Sequence, residues 1–330
     1  MRLDTRAGLA LVNGTSVMTG IAAVNAVRAD VLVNELLSSA AAYADIMGVR
    51  VEAYDEGLQA VRGHVGQIVA AEALRKKLSG SGRIVEGYIA EIRANDETQV
   101  PFVQDPYTLR CLPQAFGAVI DMLKIHETVV AQEIDAVTDN PLFIDEPPFV
   151  LHGGNFYGQH IGFASDALIA PIVTLALIAE RQIARLTDPM FNGPLPPFLQ
   201  PMQPGMNSGF MGAQVTASAL LAEMRSAAVP ASMQSVPTNG NNQDINTMGT
   251  VAARKISALL DDAMAVLAIH ALAVAQAVDL LTGEGAADFA PATIEFASRV
   301  RTVSPPLKDD RPLSPDIAKV VAMFEPAQTE

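Results

Sequence analysis

The segment SVMTGIAAVNAVRADVLVNELLSSAAAYADIMG, starting at Ser16, runs for roughly 30 residues without proline and repeats its apolar positions at helical spacing. A helix that long must lie against other long helices to bury its apolar side, so this stretch commits the chain to a mainly α architecture. A second apolar run, AMAVLAIHALAVAQAVDLL (263–281), makes the same demand. Half of the 330 residues are hydrophobic, yet only 5% are aromatic and none is Trp, so Ala, Leu, Val, Ile and Met do the packing. More apolar surface than one subunit buries predicts an oligomer.

Further helices are predicted over 56–78, stopped by SGSGR, and over about 114–137, ended by the Asp139-Asn140-Pro141 turn. FVLHGGNFYGQH holds a short strand and a Gly-Gly turn ahead of a helix near 161–186. The stretch DPMFNGPLPPFLQPMQPGMNSG is too rich in Pro and Gly to be anything but loop. Helices resume over 210–226, break at VPTNGNNQDINTMGT, and continue over 249–281, 292–302 and 315–324.

A net charge of −14 without clustered Lys or Arg argues against nucleic-acid and anionic-membrane partners. The single cysteine, Cys111, excludes an internal disulfide framework, fits a reducing compartment and reads as a small buried hydrophobe. MRLDTRAGLALVNG lacks the apolar run of a signal peptide, which predicts a cytoplasmic protein and empties the Asn13-Gly14-Thr15 glycosylation match of meaning. His270, Gln276 and Asp279 interrupt the 263–281 run, which reads as a helix buried among helices rather than a membrane span. The five histidines show no metal-ligand spacing, and neither a Gly-x-Ser-x-Gly motif nor a dinucleotide-binding βαβ pattern occurs.

Long plain helices joined by polar loops put the chemistry in the loops. The sharpest local signal is QDPYTLR, where Arg110 offers a planar fork for a carboxylate and Tyr107 lies three residues before it. A helical turn there brings both to one side, although such a pair is also an ordinary surface feature.

Taken in order, GLALVNGT, VQDPYTLRCLPQ, TDNPL, HGGNFYGQH, LPPFL, NSGFMGAQVTASAL, NQDINTMGT and VRTVSPPLKDDRPLSPDI resemble the aromatic amino acid lyase family of histidine, phenylalanine and tyrosine ammonia-lyases and related aminomutases. The resemblance implies one helical domain over residues 1–330, a bundle of long antiparallel helices in a tetramer or other oligomer, matching the C-terminal part of a family member. It also implies a 4-methylidene-imidazol-5-one electrophile built from Ala-Ser-Gly, a tripeptide absent from this sequence.

The expectation is therefore the C-terminal subunit of a split ammonia-lyase for tyrosine or phenylalanine, with a second polypeptide supplying the electrophile and no metal involved. An aromatic 2,3-aminomutase subunit, an inert structural or regulatory subunit and a truncated chain are the alternatives. By the resemblance, Arg110 holds the substrate carboxylate, Asn13 adds a hydrogen bond, Tyr107 handles a proton, and Gln104 and Gln243 complete the polar network. Phe156 packs on the electrophile, while Met211 and Asn239 face substrate. Each has a plainer alternative: Asn13 a helix cap, Phe156 a core aromatic, Gln243 and Asn239 loop amides.

Overall fold

A computed structural model describes residues 7–85, 104–201, 205–283 and 288–325. The start of the irregular TQVPFVQDPYTLRCLPQ segment (98–103) and residues 202–204 of the Pro/Gly loop lie outside them. The chain is mainly α. Its helices are α1 (Ala7–Asn13), α2 (Ser16–Ile46), α3 (Glu56–Ala60), α4 (Val65–Leu78), α5 (Tyr107–Arg110) and α6 (Leu112–Ile134). After a hairpin of β1 (Leu142–Ile144) and β2 (Phe149–Leu151) come α7 (Gln159–Asp166), α8 (Ile169–Thr187), α9 (Met211–Ala227), α10 (Gly249–Gly283), α11 (Pro291–Arg301) and α12 (Ser314–Phe324). The strands are antiparallel, with Leu142 opposite Leu151 and Ile144 opposite Phe149.

Two predicted helices are broken. The 56–78 helix divides into α3 and α4 because Gly63 takes φ +79°, a left-handed conformation that ends a helix. The 161–186 helix divides at Ala167 and Leu168; Pro171 in the first turn of α8 has no N–H for the Ala167 carbonyl, so the helix restarts. The loop expected around QDPYTLR contains the one-turn helix α5, and Cys111, its C-terminal cap, is half-buried rather than buried.

The chain divides into two compact units: residues 1–30, 122–172 and 226–261, and residues 31–121, 173–225 and 262–330. In the first, Ala22, Val130 and Ile161 form a buried cluster, with Met18, Ala23 and Val129 packed on it. Polar side chains tie this unit together: His126 ring nitrogens lie 2.9 Å from the Ala164 carbonyl and 3.2 Å from that of Ala22. Asn25 donates to Ala253 O (2.8 Å) and accepts from Ser257 Oγ (2.9 Å).

In the second unit, α4 and α6 touch backbone to backbone at Gly66 and Gly117, where a Cβ on either residue would overlap the other helix. Buried Asp45 accepts from Ala290 N and Thr293 Oγ1 (2.8 and 2.7 Å), which satisfies one free backbone N–H at the start of α11 and a buried hydroxyl in its first turn. Gln276 does the same for Leu307, donating to its carbonyl at 2.8 Å and accepting from its N–H at 2.9 Å.

Among the described residues three stretches are long and apolar enough to cross a membrane by length and composition: 16–46, 159–187 and 249–282. In the last, 83% of the most apolar window is buried within the protein, including His270 and Gln276.

His270 is fully buried with Nδ1 2.7 Å from Ser39 Oγ, and burial pushes its imidazole down to about 3. The ring is therefore neutral in the folded protein, whereas the unfolded chain protonates it near pH 6.5. Its contribution to stability is complete above that pH and is lost as pH falls toward 3, at about 1.4 kcal/mol per pH unit. Urea unfolding at pH 7, 6, 5 and 4 should show a pH slope steeper by that amount in the parent than in His270→Gln. Parallel slopes would contradict the assignment.

Candidate active site

In the first unit, Asn13 closes α1, and the chain bends through Gly14 and Thr15 before α2. Thr15 is the residue preceding Ser16, and its carbonyl accepts from both the N–H and the Oγ1 of Thr19 (2.9 and 2.8 Å). Asn13 is thus the exposed last residue of α1 and lies outside the start of α2. Phe156 sits in a turn closed by Tyr157 N–H to the Gly154 carbonyl (2.8 Å) and is 41% exposed, so it is not a core aromatic.

The loop before α10 is built on backbone conformations that few residues tolerate: Asn239, Gly240 and Asn241 have φ of 52°, 61° and 66°. Asn239 and Gln243 are exposed. Gln243 Oε1 accepts from Thr238 Oγ1 (2.8 Å), so part of that amide serves its own loop. Asn246 bonds the Val236 carbonyl (2.7 Å), and Asp166 receives the N–H groups of Ala231 and Ser232 (3.0 and 2.7 Å).

These three segments converge on Met18. A Cβ at Gly158 would overlap Met18 Sδ and come within 3.0 Å of Thr15 Cγ2; one at Gly249 would lie 2.7 Å from the same sulfur and 3.2 Å from the Gly158 carbonyl. A Cβ at Gly162 would lie 3.2 Å from Thr247 O and 3.5 Å from Gly249 Cα. Glycine is required because the backbone just after Phe156 and the start of α10, which follows the Asn239 loop, come this close to the helix that follows Asn13.

In the second unit, Arg110 lies with its guanidinium carbon 4.7 Å from the Tyr107 ring centroid, so the spacing of three does bring the pair together. Tyr107 is 71% exposed, and Arg110 Nε is buried without a hydrogen-bond partner. Leu109 is buried, its carbonyl accepts from Tyr54 OH (2.8 Å), and the Thr108 carbonyl accepts from Gln182 Nε2 (2.8 Å). Ahead of the turn, Asp105 pairs with Arg50 through the side chain (3.2 Å) and the backbone N–H (3.0 Å). Burial raises the Tyr43 phenol to about 12, with Arg185 and Thr108 pulling the other way.

A cavity of about 320 Å³ opens beside Tyr107, lined also by Thr108, Arg181, Arg185, Asp188 and Phe191. Glu180 pairs with Arg181 at 2.5 Å. Burial pushes the Glu180 carboxyl up, but bonds from Arg181 and Ser218 and the charges of Arg181 and Arg225 hold it below the usual range. Gln104 is exposed. Met211, the first residue of α9 and 41% exposed, borders a separate cavity of about 330 Å³ with Phe198 and Gln200.

The sequence pattern of the family described as "Aromatic amino acid lyase" matches residues 1–302. The chain belongs to that family. It is 49% identical over 320 residues to a tyrosine ammonia-lyase of Cereibacter sphaeroides, covering 96% of this chain and 61% of the relative. It is 35% identical over 329 residues to a tyrosine 2,3-aminomutase of a Myxococcus species, covering 97% and 62%. The crystal structure of a tyrosine aminomutase from Streptomyces globisporus superposes with a TM-score of 0.91 at 36% identity, over 98% of this chain and 62% of that one. The chain thus spans about three fifths of the length of the relatives it matches.

Within this lyase-family chain, residues with no local sequence signal also shape the loops. Asp310 accepts from Ser208 and Gly209 N–H (2.6 and 2.9 Å), fixing the approach to α9 and Met211 from about a hundred residues away. Asp166 does so for 231–232, and Tyr54 and Gln182 for α5. Among the described residues no group of three His, Cys, Asp or Glu is placed to hold a metal ion.

Gly158→Ala and Gly249→Ala should each lower stability by about 1–3 kcal/mol, because Met18 is hemmed in from both sides. Gly153→Ala, where a Cβ meets nothing within 4 Å, is the control. Denaturant melts showing all three alike would contradict the Met18 packing.

Proposed function

We propose that Tyr107 and Arg110 form the carboxylate-binding and proton-handling part of an ammonia-lyase acting on an aromatic L-amino acid, tyrosine or phenylalanine rather than histidine. The observation that carries this reading is the Tyr107–Arg110 pair, with an exposed phenol beside a guanidinium whose buried Nε has no partner among the described residues. A planar guanidinium pairs bidentately with a carboxylate, and an adjacent phenol is placed to exchange a proton. The 49% identity to a protein named tyrosine ammonia-lyase favours the lyase reading over that of an aminomutase, whose named relative stands at 35%.

The side chains assigned to the reaction also suit a methylidene-imidazolone. Asn13, Asn239 and Gln243 present exposed amides for a carbonyl-bearing ring, and the half-exposed Phe156 offers a flat apolar face. That group supplies an electrophilic carbon for the amino-acid substrate. Because no Ala-Ser-Gly occurs in the sequence, we assign its supply to a partner polypeptide. Arg110 anchors the carboxylate, Tyr107 exchanges a proton, and the amides orient the reactants, which lowers the entropic part of the barrier. Gln104 completes the polar set, and Met211 borders the substrate. Exposed apolar residues such as Val12 (80%), Val61 (87%) and Val65 (70%) support assembly with further subunits.

The test mixes the purified chain with a polypeptide carrying the Ala-Ser-Gly segment and follows release of ammonia and the cinnamate-type product from L-tyrosine. Turnover is expected only from the mixture. Turnover by the chain alone would contradict the partner-supplied group, and a silent mixture would favour an inert subunit. In an active mixture, Arg110→Ala should raise KM and lower kcat together, costing about 2–5 kcal/mol in kcat/KM. Arg110→Lys should not restore it, since an ammonium lacks the fork; an unchanged kcat/KM would remove Arg110 from the reaction.

A further inference from the structure

We propose that Tyr54 and Gln182, buried side chains that donate to the two carbonyls between Tyr107 and Arg110, are positioning residues for that pair. In its kinetic consequence the inference rests on the carboxylate-binding reading above. In its structural consequence it stands by itself.

The reason lies in which hydrogen bonds the backbone cannot make. In a continuous helix the carbonyls of Thr108 and Leu109 would accept from the N–H groups of residues 112 and 113. Residue 113 is Pro, which has no N–H, and Cys111 leaves the helical conformation at φ −102° and ψ 15°. The break leaves the Thr108 carbonyl without its i+4 backbone partner and the Leu109 carbonyl with only the short-range Cys111 N–H, so long-range donors complete both. Tyr54 OH reaches Leu109 O at 2.8 Å from 55 residues away, and Gln182 Nε2 reaches Thr108 O at 2.8 Å from 74 residues away.

Both donors are buried, Tyr54 and Gln182 each at 1% exposure or less, so water does not compete for these carbonyls. Burial holds the Tyr54 phenol well above its ordinary value, which keeps it a donor throughout the neutral range. Helix α5 has only four residues. Fixing its two middle carbonyls to separate parts of the second unit therefore fixes the rotation of the residues at its ends, Tyr107 and Arg110. A helix running unbroken into α6 would satisfy the same carbonyls without this registration. On the Arg110 side chain, Nε is buried without a partner among the described residues, and the guanidinium rests on the Tyr107 ring.

The test uses Tyr54→Phe and Gln182→Met in the full chain, substitutions that keep volume and delete the donor. The first readout is the NMR shift of the Arg110 side-chain protons, displaced by the Tyr107 ring current and identified by their loss in Arg110→Lys. Each variant should move these protons toward the shift of a free arginine. Adding Pro113→Ala to Tyr54→Phe supplies Leu109 O with a backbone N–H, so it should recover thermal stability without recovering the Arg110 shift. An unchanged shift in the single variants, or its full recovery by Pro113→Ala, would overturn the positioning role and leave a stability role alone.

The second readout is kinetic, in the mixture with the Ala-Ser-Gly polypeptide. KM for the amino acid should rise about tenfold in either variant, with a smaller change in kcat. If the parent mixture shows no turnover, the lyase reading fails and the Arg110 shift still decides the positioning role.

Discussion

The sulfur of Met18 rests between two glycines, and the first unit's candidate surface depends on that contact. Gly158 and Gly249 carry no Cβ, so two loop backbones close on the methionine, and a third glycine, Gly162, lets them close on each other. On its inner side Met18 packs on Ala22, Val130 and Ile161. The residue that follows the Phe156 turn and the first residue of α10, which follows the Asn239 loop, therefore rest on the methionine that packs on the cluster supporting the helix after Asn13. The Phe156 and Asn239 side chains stay exposed, while the backbone that follows each is pinned.

The second unit meets the same requirement by different means. It denies two carbonyls of a one-turn helix their i+4 backbone donors and bonds them from Tyr54 and Gln182. Asp310 supports the approach to Met211 in the same way, through two backbone N–H groups. In both units polar chemistry sits on short irregular segments held by partners far away in sequence. Long helices supply Met18, Gln182 and the apolar mass, as expected of a rigid scaffold carrying functional loops.

Much of the scaffold was legible from residue pattern. The helices 16–46 and 249–283 follow from unbroken apolar periodicity, and the pairing of Tyr107 with Arg110 follows from a spacing of three. The breaks at Gly63 and Pro171 were written in the sequence too, but the apolar period continues through both and hid them. The supporting partners were not legible. Met18 reads as one more apolar residue of a helix, and Tyr54, Gln182, Asp166 and Asp310 as ordinary residues, because each acquires its meaning only from a contact tens of residues away. The ordered family resemblance pointed to the loops without saying what holds them.

The central claim is that the loops around Asn13, Phe156 and Asn239 form one unit of local stability through Met18. Amide hydrogen exchange on Met18→Ala tests it directly, because truncation removes the shared contact and leaves each loop's own hydrogen bonds intact. Protection at Tyr157, Gly162, Gln243 and Asn246 should fall together, by a common factor, while that at Leu109 and Arg110 is unchanged. Loss confined to residues beside position 18, with Gln243 and Asn246 protected as before, would contradict it.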